Sequence, residues 1–242
     1  MTKADALSFL QQFQHALTQG LPPVESLRAK VRGIALAAKH GDSAPQSPHM
    51  RRPEEAFLNT YAIPRLSESL QSACGLSAEA AREALLTENF RHLEELSLAS
   101  PARKTRHPFD KKFAPNATEI MNQWRSGKSN SLRQSCPDFA VRSPCPFTIV
   151  FEGKYFESGS VTKAESELVS NIYQAFFYRA LPKVPGTKAR PAWDYEYACL
   201  LACDASRDGN LLRAWESIGQ EVIDGFWEGA NVYVMVIRSQ AA

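Results

Sequence analysis

Cys136-Pro-Asp-Phe-Ala-Val-Arg-Ser-Pro-Cys-Pro-Phe-Thr-Ile-Val-Phe-Glu-Gly-Lys-Tyr-Phe156 is the stretch whose reading decides the rest of the chain. Residues 147–151 are β-branched or aromatic throughout, and Ser143, Pro144 and Pro146 mark a turn just before them. Such a run, bounded by breakers, predicts a strand buried on both faces. Its apolar character stops at Glu152, and Lys154 follows two positions on. Side chains alternate along a strand, so this carboxylate and this ammonium project from one face. Asp138 stands fourteen positions before Glu152, with a short strand expected over 139–142. A tight turn through Ser-Pro-Cys-Pro would lay that strand alongside and bring Asp138 next to Glu152.

A buried strand end is a costly place for charges, which persist there when paired, hydrogen-bonded or bound to a metal. Two carboxylates make a hard-oxygen site. Mg²⁺ takes one or two carboxylates together with waters and substrate phosphate, so Asp138 and Glu152 suit it as ligands, with the Gly153 carbonyl between Glu152 and Lys154 and with Mn²⁺ as a substitute ion. The Lys154 ammonium plays a separate part. It can orient or help activate an attacking water and offset charge developing on a phosphate.

Pro137-Asp138 followed by Glu152-Gly153-Lys154 resembles the signature of the PD-(D/E)XK nuclease superfamily. Residues 166–181 have helical character and carry Gln174-Ala-Phe-Phe-Tyr178, which is similar to the Gln-x-x-x-Tyr motif of the RecB-like branch. Four positions apart, these two side chains share a helix face. The resemblance implies an α/β fold with a restriction-endonuclease-like core, a mixed β-sheet flanked by helices. It implies a Mg²⁺-dependent endodeoxyribonuclease in a restriction or defence setting. It assigns Asp138, Glu152, Lys154 and Gln174 to catalysis and sets Tyr178 against the active-site lysine or the DNA backbone. Two other functions fit the same residues: a non-cleaving DNA-binding module that keeps the fold, and a repair or recombination nuclease acting on branched or single-stranded DNA. A plainer reading also stands, in which Glu152 and Lys154 form a rim salt bridge, Asp138 is a turn residue after proline, and Gln174 and Tyr178 are ordinary helix residues. Asp110-Lys111-Lys112 also fits acid-x-Lys, but it sits in a polar, basic loop without a strand.

With 28 Lys and Arg against 26 Asp and Glu, the net charge is only +2. That balance exerts no general pull on nucleic acid, so a DNA surface has to come from local clustering. The densest positive stretch holds Arg103, Lys104, Arg106, His107, Lys111 and Lys112 against one acid, Asp110. In the nuclease reading Arg103, Lys104, Arg106, Lys111 and Lys112 neutralise phosphates; otherwise they form a solvated loop. The five cysteines, Cys74, Cys136, Cys145, Cys199 and Cys203, read as reduced, and without a Cys-x-x-Cys pair no iron–sulfur cluster is expected. The chain shows neither a cationic flank before an apolar run at its N-terminus nor eighteen consecutive apolar residues. The expectation is therefore a cytoplasmic protein without a membrane span; the nuclease resemblance adds DNA as partner and leaves the oligomeric state open, a homodimer among the possibilities.

From the N-terminus, residues 4–18 and 24–37 read as a helical hairpin around Gly20-Leu-Pro-Pro. Residues 41–50 read as a loop. Pro53 opens a third helix to about Leu70, kinked at Pro64, and a fourth is expected over 78–96. Asn116-Ala-Thr-Glu119 matches a capping box. Glu119 and Glu55 both qualify by position as the additional acid that members of the superfamily often carry. Beyond the Gln174 helix, the pattern predicts a strand over 195–203, a helix over 211–226 with Leu212, Trp215, Ile218 and Val222 on one stripe, and a final strand over 231–237. A first core strand is placed at 131–135. Residues 1–100 are read as a helical N-terminal region and 101–242 as the nuclease core.

Overall fold

The computed structural model describes residues 2–40, 52–86, 138–180 and 195–239. Helix α1 (Lys3–Gln19) starts at Thr2, whose hydroxyl accepts from the Asp5 amide at 3.3 Å while the Asp5 carboxylate accepts from the Thr2 amide at 2.7 Å. This reciprocal cap satisfies two otherwise orphaned donors. Ala6, Phe9, Leu10, Phe13 and Leu17 form its buried stripe, and α2 (Val24–His40) buries Leu27, Val31 and Ala35 at the same helical spacing.

The third expected helix is interrupted in a particular way. It runs as α3 (Pro53–Phe57), one π-helical turn (Leu58–Ala62), and α4 (Ile63–Cys74). Pro64 cannot donate to the carbonyl of Thr60, and its ring would crowd that carbonyl. The widened turn immediately before it relieves the clash without breaking the rod. α4 stops at Gly75, whose φ of 66° is in the left-handed region. A short helix, α5 (Ala78–Ala84), follows.

The sheet has five strands in the order β1 (Leu85–Leu86), β2 (Phe139–Val141), β3 (Ile149–Phe156), β4 (Tyr197–Asp204) and β5 (Val232–Ile237). β1 to β3 pair antiparallel, while β3, β4 and β5 run parallel. Parallel neighbours need crossovers. Helix α6 (Val161–Ala180) supplies the first, and α7 (Asn210–Ser217) with α8 (Gln220–Ala230) the second. Every residue of β4 is buried, as expected of a central strand covered on both faces. The architecture is therefore α/β, with a mixed sheet flanked by helices.

Four sequence expectations need correction. The strand read over 147–151 with Glu152 at its end is β3, Ile149–Phe156, because pairing with β4 continues through Phe156 and carries Glu152 and Lys154 inside the strand. The helix placed over 78–96 ends at Ala84: α5 gives way to Leu85 in extended conformation, and Leu85 and Leu86 pair with Val141 and Ala140. Sheet pairing overrides the local helical pattern there. The helix over 211–226 is two helices, separated by extended backbone at Ile218 and Gly219, which leaves Val222 52 % exposed and off the expected stripe. The helix bearing Gln174 begins earlier than predicted, at Val161, with the Ser160 hydroxyl accepting from the Lys163 amide at 3.3 Å. The strand placed at 131–135, the loop over 41–50 and the capping box at Asn116 lie outside the described residues.

One hydrophobic cluster joins the N-terminal helices to the sheet. Phe9 meets Phe147 at 5.0 Å between ring centroids, Phe13 meets Phe151 edge-on at 6.2 Å, and Phe139 stacks on Phe151 at 4.6 Å. The tightest approach is at Gly153. A Cβ built there would lie 2.4 Å from Leu58 Cδ2, so only glycine lets the π-turn sit so low on β3. Gly153→Ala should therefore destabilise the protein by about 1–3 kcal/mol through overpacking, measured as a lower urea midpoint. Leu58→Ala in the Gly153→Ala background should recover part of the midpoint shift caused by Gly153→Ala, relative to Leu58→Ala alone.

Candidate active site

Strand alternation puts Glu152 and Lys154 on one face of β3, and they pair there: Lys154 Nζ lies 2.6 Å from Glu152 Oε1. Glu152 is 2 % exposed. Asp138 enters from the start of β2. Its amide donates to the Phe151 carbonyl at 3.1 Å, and its Oδ2 accepts from the Gly153 amide at 2.7 Å. The carboxylate thus continues the β2–β3 ladder one step past the last strand residue. The three residues of the sequence motif are brought together as the turn geometry predicted.

A fourth group arrives from the N-terminal helices. Glu54, in the first turn of α3, places Oε1 3.3 Å from Lys154 Nζ. Glu55, the residue singled out from the sequence, does something else: its Oε2 accepts from the Arg52 amide at 3.0 Å and closes the N-terminus of α3. Adjacent helical residues point about 100° apart. The sequence Pro53-Glu54-Glu55 therefore announces an acid here without saying which one turns inward. Glu119 lies outside the described residues.

Three carboxylates around one ammonium leave an excess of negative charge in a poorly solvated pocket. Burial raises the Asp138 carboxyl from its ordinary 3.8 to about 7; Lys154 pulls it back, while Glu54 pushes it further up. Glu152 is raised well above its usual range, first by burial and then by Asp138. For Lys154 burial favours the neutral amine, yet Glu152, Asp138 and Glu54 together outweigh it and hold the group charged, above its usual range. Glu152 Oε2 is buried with no hydrogen-bond partner. An orphaned carboxylate oxygen beside a second acid is the donor a cation would satisfy.

Among the described residues, no three or more His, Cys, Asp and Glu side chains gather closely enough to enclose a metal by themselves. Mg²⁺ does not need such a cage, since waters and substrate complete its octahedron. The residues present fit that mode of binding: two hard-oxygen side chains, one with an unused buried oxygen.

A cleft of about 390 Å³ opens beside Lys154, lined by Tyr155, Glu157, Ser158, Lys163, Glu167 and Asn171. Its walls are fixed by polar contacts. Arg32 and Arg28 hold Glu157 at 2.7 and 3.6 Å, and the Ser158 hydroxyl donates to Glu167 Oε2 at 2.5 Å. Glu167 and Asn171 are followed at helical spacing by Gln174, a half-buried residue of α6. Tyr178 belongs to the same helix, and its side chain is outside the described ones. Arg103, Lys104, Arg106, Lys111 and Lys112 also lie outside the described residues.

No protein-family model, no curated protein and no solved structure matches the chain.

The electrostatics have a sign that can be measured. Because the folded-state value of Asp138 is raised, its contribution favours folding fully below about pH 4 and is lost as pH rises through about 7. Metal-free protein should have a lower urea midpoint at pH 8 than at pH 6. Asp138→Asn keeps an acceptor for the Gly153 amide and removes the charge, so at pH 8 it should be more stable than the wild type by about 1–2 kcal/mol. A variant less stable than the wild type at that pH would contradict this electrostatic picture of the site.

Proposed function

We propose that the chain is a Mg²⁺-dependent deoxyribonuclease of the PD-(D/E)XK type that hydrolyses phosphodiester bonds in DNA, in a restriction or defence role. The single observation that carries the reading is the convergence of Asp138, Glu152 and Lys154 on one hairpin, with a buried carboxylate oxygen left unpartnered. Two further features support it. The antiparallel pair β2–β3, followed by a crossover helix and the parallel strand β4, is the order that a core of this type requires. Lys163, Glu167 and Asn171 of α6, the helix that carries Gln174, line the cleft beside Lys154.

Asp138 and Glu152 would hold the metal, which when bound supplies Lewis-acid polarisation of a phosphoryl oxygen and a more acidic water. The chain's own residues do the rest. Lys154, kept as an ammonium by its three acidic neighbours, donates hydrogen bonds and positive charge to a non-bridging phosphate oxygen, where charge accumulates as the water attacks. Glu54 holds the Lys154 side chain in place and offers a carboxylate to orient that water. The cleft gives the strand being cut a place beside the lysine. Gln174, on the helix that borders this cleft, positions rather than reacts.

The different-class reading, a DNA-binding module without cleavage, treats the same cluster as a structural ion pair. The unpartnered Oε2 of Glu152 weighs against it, because a purely structural cluster gains nothing from an unsatisfied buried acceptor. The experiment is incubation of the protein with supercoiled, linear and single-stranded DNA in Mg²⁺. Cleavage is expected in Mg²⁺ and not in excess chelator. Asp138→Ala and Lys154→Ala should each lower it roughly 100-fold or more with the far-UV spectrum retained. Gln174→Ala should reduce turnover more than stability. Cleavage that persists in chelator, or in Asp138→Ala, would remove the proposal.

A further inference from the structure

We propose that Glu167 reads a base in the cleft beside Lys154, its carboxylate accepting a hydrogen bond from the exocyclic amine of a nucleotide in the strand being cut. The inference rests on the nuclease reading for its ligand, a DNA strand. What carries it is a chain of buried hydrogen bonds that ends on this one side chain.

Ser158, Asp204, Ser206 and Asn210 are four of the seven buried polar or charged residues among those described, and all four belong to one network. Asp204 is wholly buried at the end of β4. Its Oδ1 accepts from the Ser206 amide at 2.9 Å and from the Ser206 hydroxyl at 2.5 Å, and its Oδ2 lies 3.3 Å from the Arg238 guanidinium. Asp204 Oδ2 also accepts from the Leu212 amide at 3.0 Å, and the Ser206 hydroxyl accepts from the Asn210 amide at 2.8 Å, which closes the N-terminus of α7. That cap does not use the side chains of Asn210 and Ser158. They carry the network onward: Asn210 Nδ2 donates to the Ser158 carbonyl at 2.9 Å, and the Ser158 hydroxyl donates to Glu167 Oε2 at 2.5 Å. The last two links therefore fix the direction of Glu167. Side chains locked from behind by hydrogen bonds are how a binding geometry is held.

With Oε2 taken, Oε1 of Glu167 is left for the cleft that the residue lines, and the exposed Lys163 ammonium lies 3.7 Å away. An ion pair this open to water holds weakly. One helical turn on, Asn171 Nδ2 donates to the Glu167 carbonyl at 2.6 Å, so the oxygen of that side chain amide remains an acceptor in the same wall. Lys154 supplies a cation to the same cleft, whose volume of about 390 Å³ admits one nucleotide. A strand seated there meets Lys154 with a phosphate and the two acceptors with the donors it carries. Within a DNA strand those donors are on the bases. A carboxylate accepts from the cytosine N4 amine, whereas thymine turns the O4 carbonyl to the same position and is repelled.

The test measures binding of short oligo(dC) and oligo(dT) to the full chain by fluorescence anisotropy at neutral pH, with Ca²⁺ in place of Mg²⁺ so that the probe stays intact. The wild type should bind oligo(dC) about tenfold more tightly than oligo(dT). Glu167→Gln keeps an oxygen for the Ser158 hydroxyl and turns an amide donor to the cleft, so the preference should vanish or pass to oligo(dT). Asn210→Ala, which cuts the chain one link behind Ser158, should narrow it. A merely structural role would lower both affinities together and leave their ratio in place. Glu167 is at the surface, so Glu167→Gln keeps the test intact if the Asn210 variant folds poorly. Equal binding of the two oligomers by the wild type, or a preference unchanged in Glu167→Gln, would overturn the proposal. Tighter binding of oligo(rU) than of oligo(dU), lost in Glu167→Gln, would give the carboxylate to a sugar hydroxyl and overturn the base assignment. Base preference without cleavage in Mg²⁺ counts against the nuclease reading alone, and cleavage without base preference counts against this proposal alone.

Discussion

Three carboxylates share one ammonium in the middle of strand β3, and much of the molecule is arranged to keep them there. Left alone, Glu54, Asp138 and Glu152 around Lys154 would repel one another and lose much of their hydration. The protein answers with backbone and protons: the Gly153 amide donates to one oxygen of Asp138, Lys154 pairs with one of Glu152, and both acids, half-buried Asp138 and buried Glu152, hold their protons above the usual carboxylate range. What remains is an unsatisfied oxygen on Glu152. A site of this kind is less stable than an apolar plug of the same volume would be.

The scaffold serves that cluster by holding two separate pieces of chain against each other. Gly153 lets Leu58 approach β3 closely, and this contact sets the height of α3 and hence of Glu54 above Lys154. On the opposite side of the hairpin pairing, β4 holds β3 in parallel register along its whole length, from Ile149 opposite Tyr197 to Phe156 opposite Asp204. The rigid strand and the closely seated helix together fix the lysine from two directions. Beyond the strand end, Arg28 and Arg32 hold Glu157 and shape the cleft that Lys154 faces.

The parts of this arrangement that were legible in the sequence are the local ones. The run from Phe147 to Phe151 declared a strand, though not its end at Phe156, and alternation alone placed Glu152 and Lys154 together. The apolar spacing in residues 4–18 likewise announced helix α1, with Leu10, Phe13 and Leu17 inside, while Ala4 proves exposed and Ala6 and Phe9 take the buried positions. What escaped depends on contacts between distant segments. Leu85 and Leu86 continue a helical pattern until a strand more than fifty residues later captures them. Glu54 and Glu55 are equivalent by composition, and only the docking of α3 separates the inward acid from the capping one. The expected stripe ran straight through Ile218 and Gly219, where the backbone is extended and splits the segment into α7 and α8.

If the orphaned oxygen of Glu152 and the carboxylate of Asp138 form a seat for a divalent cation, the metal should bind even without DNA. Calorimetric titration of the DNA-free protein with Mg²⁺, run near pH 7 in two buffers of different ionisation enthalpy, reads this out. Saturable binding at one site is expected, with net release of protons, because a ligating carboxylate must give up the proton it otherwise holds. Glu152→Gln should abolish that binding. Binding of equal strength in the Glu152→Gln variant, or binding without proton release in the wild type, would contradict the metal seat.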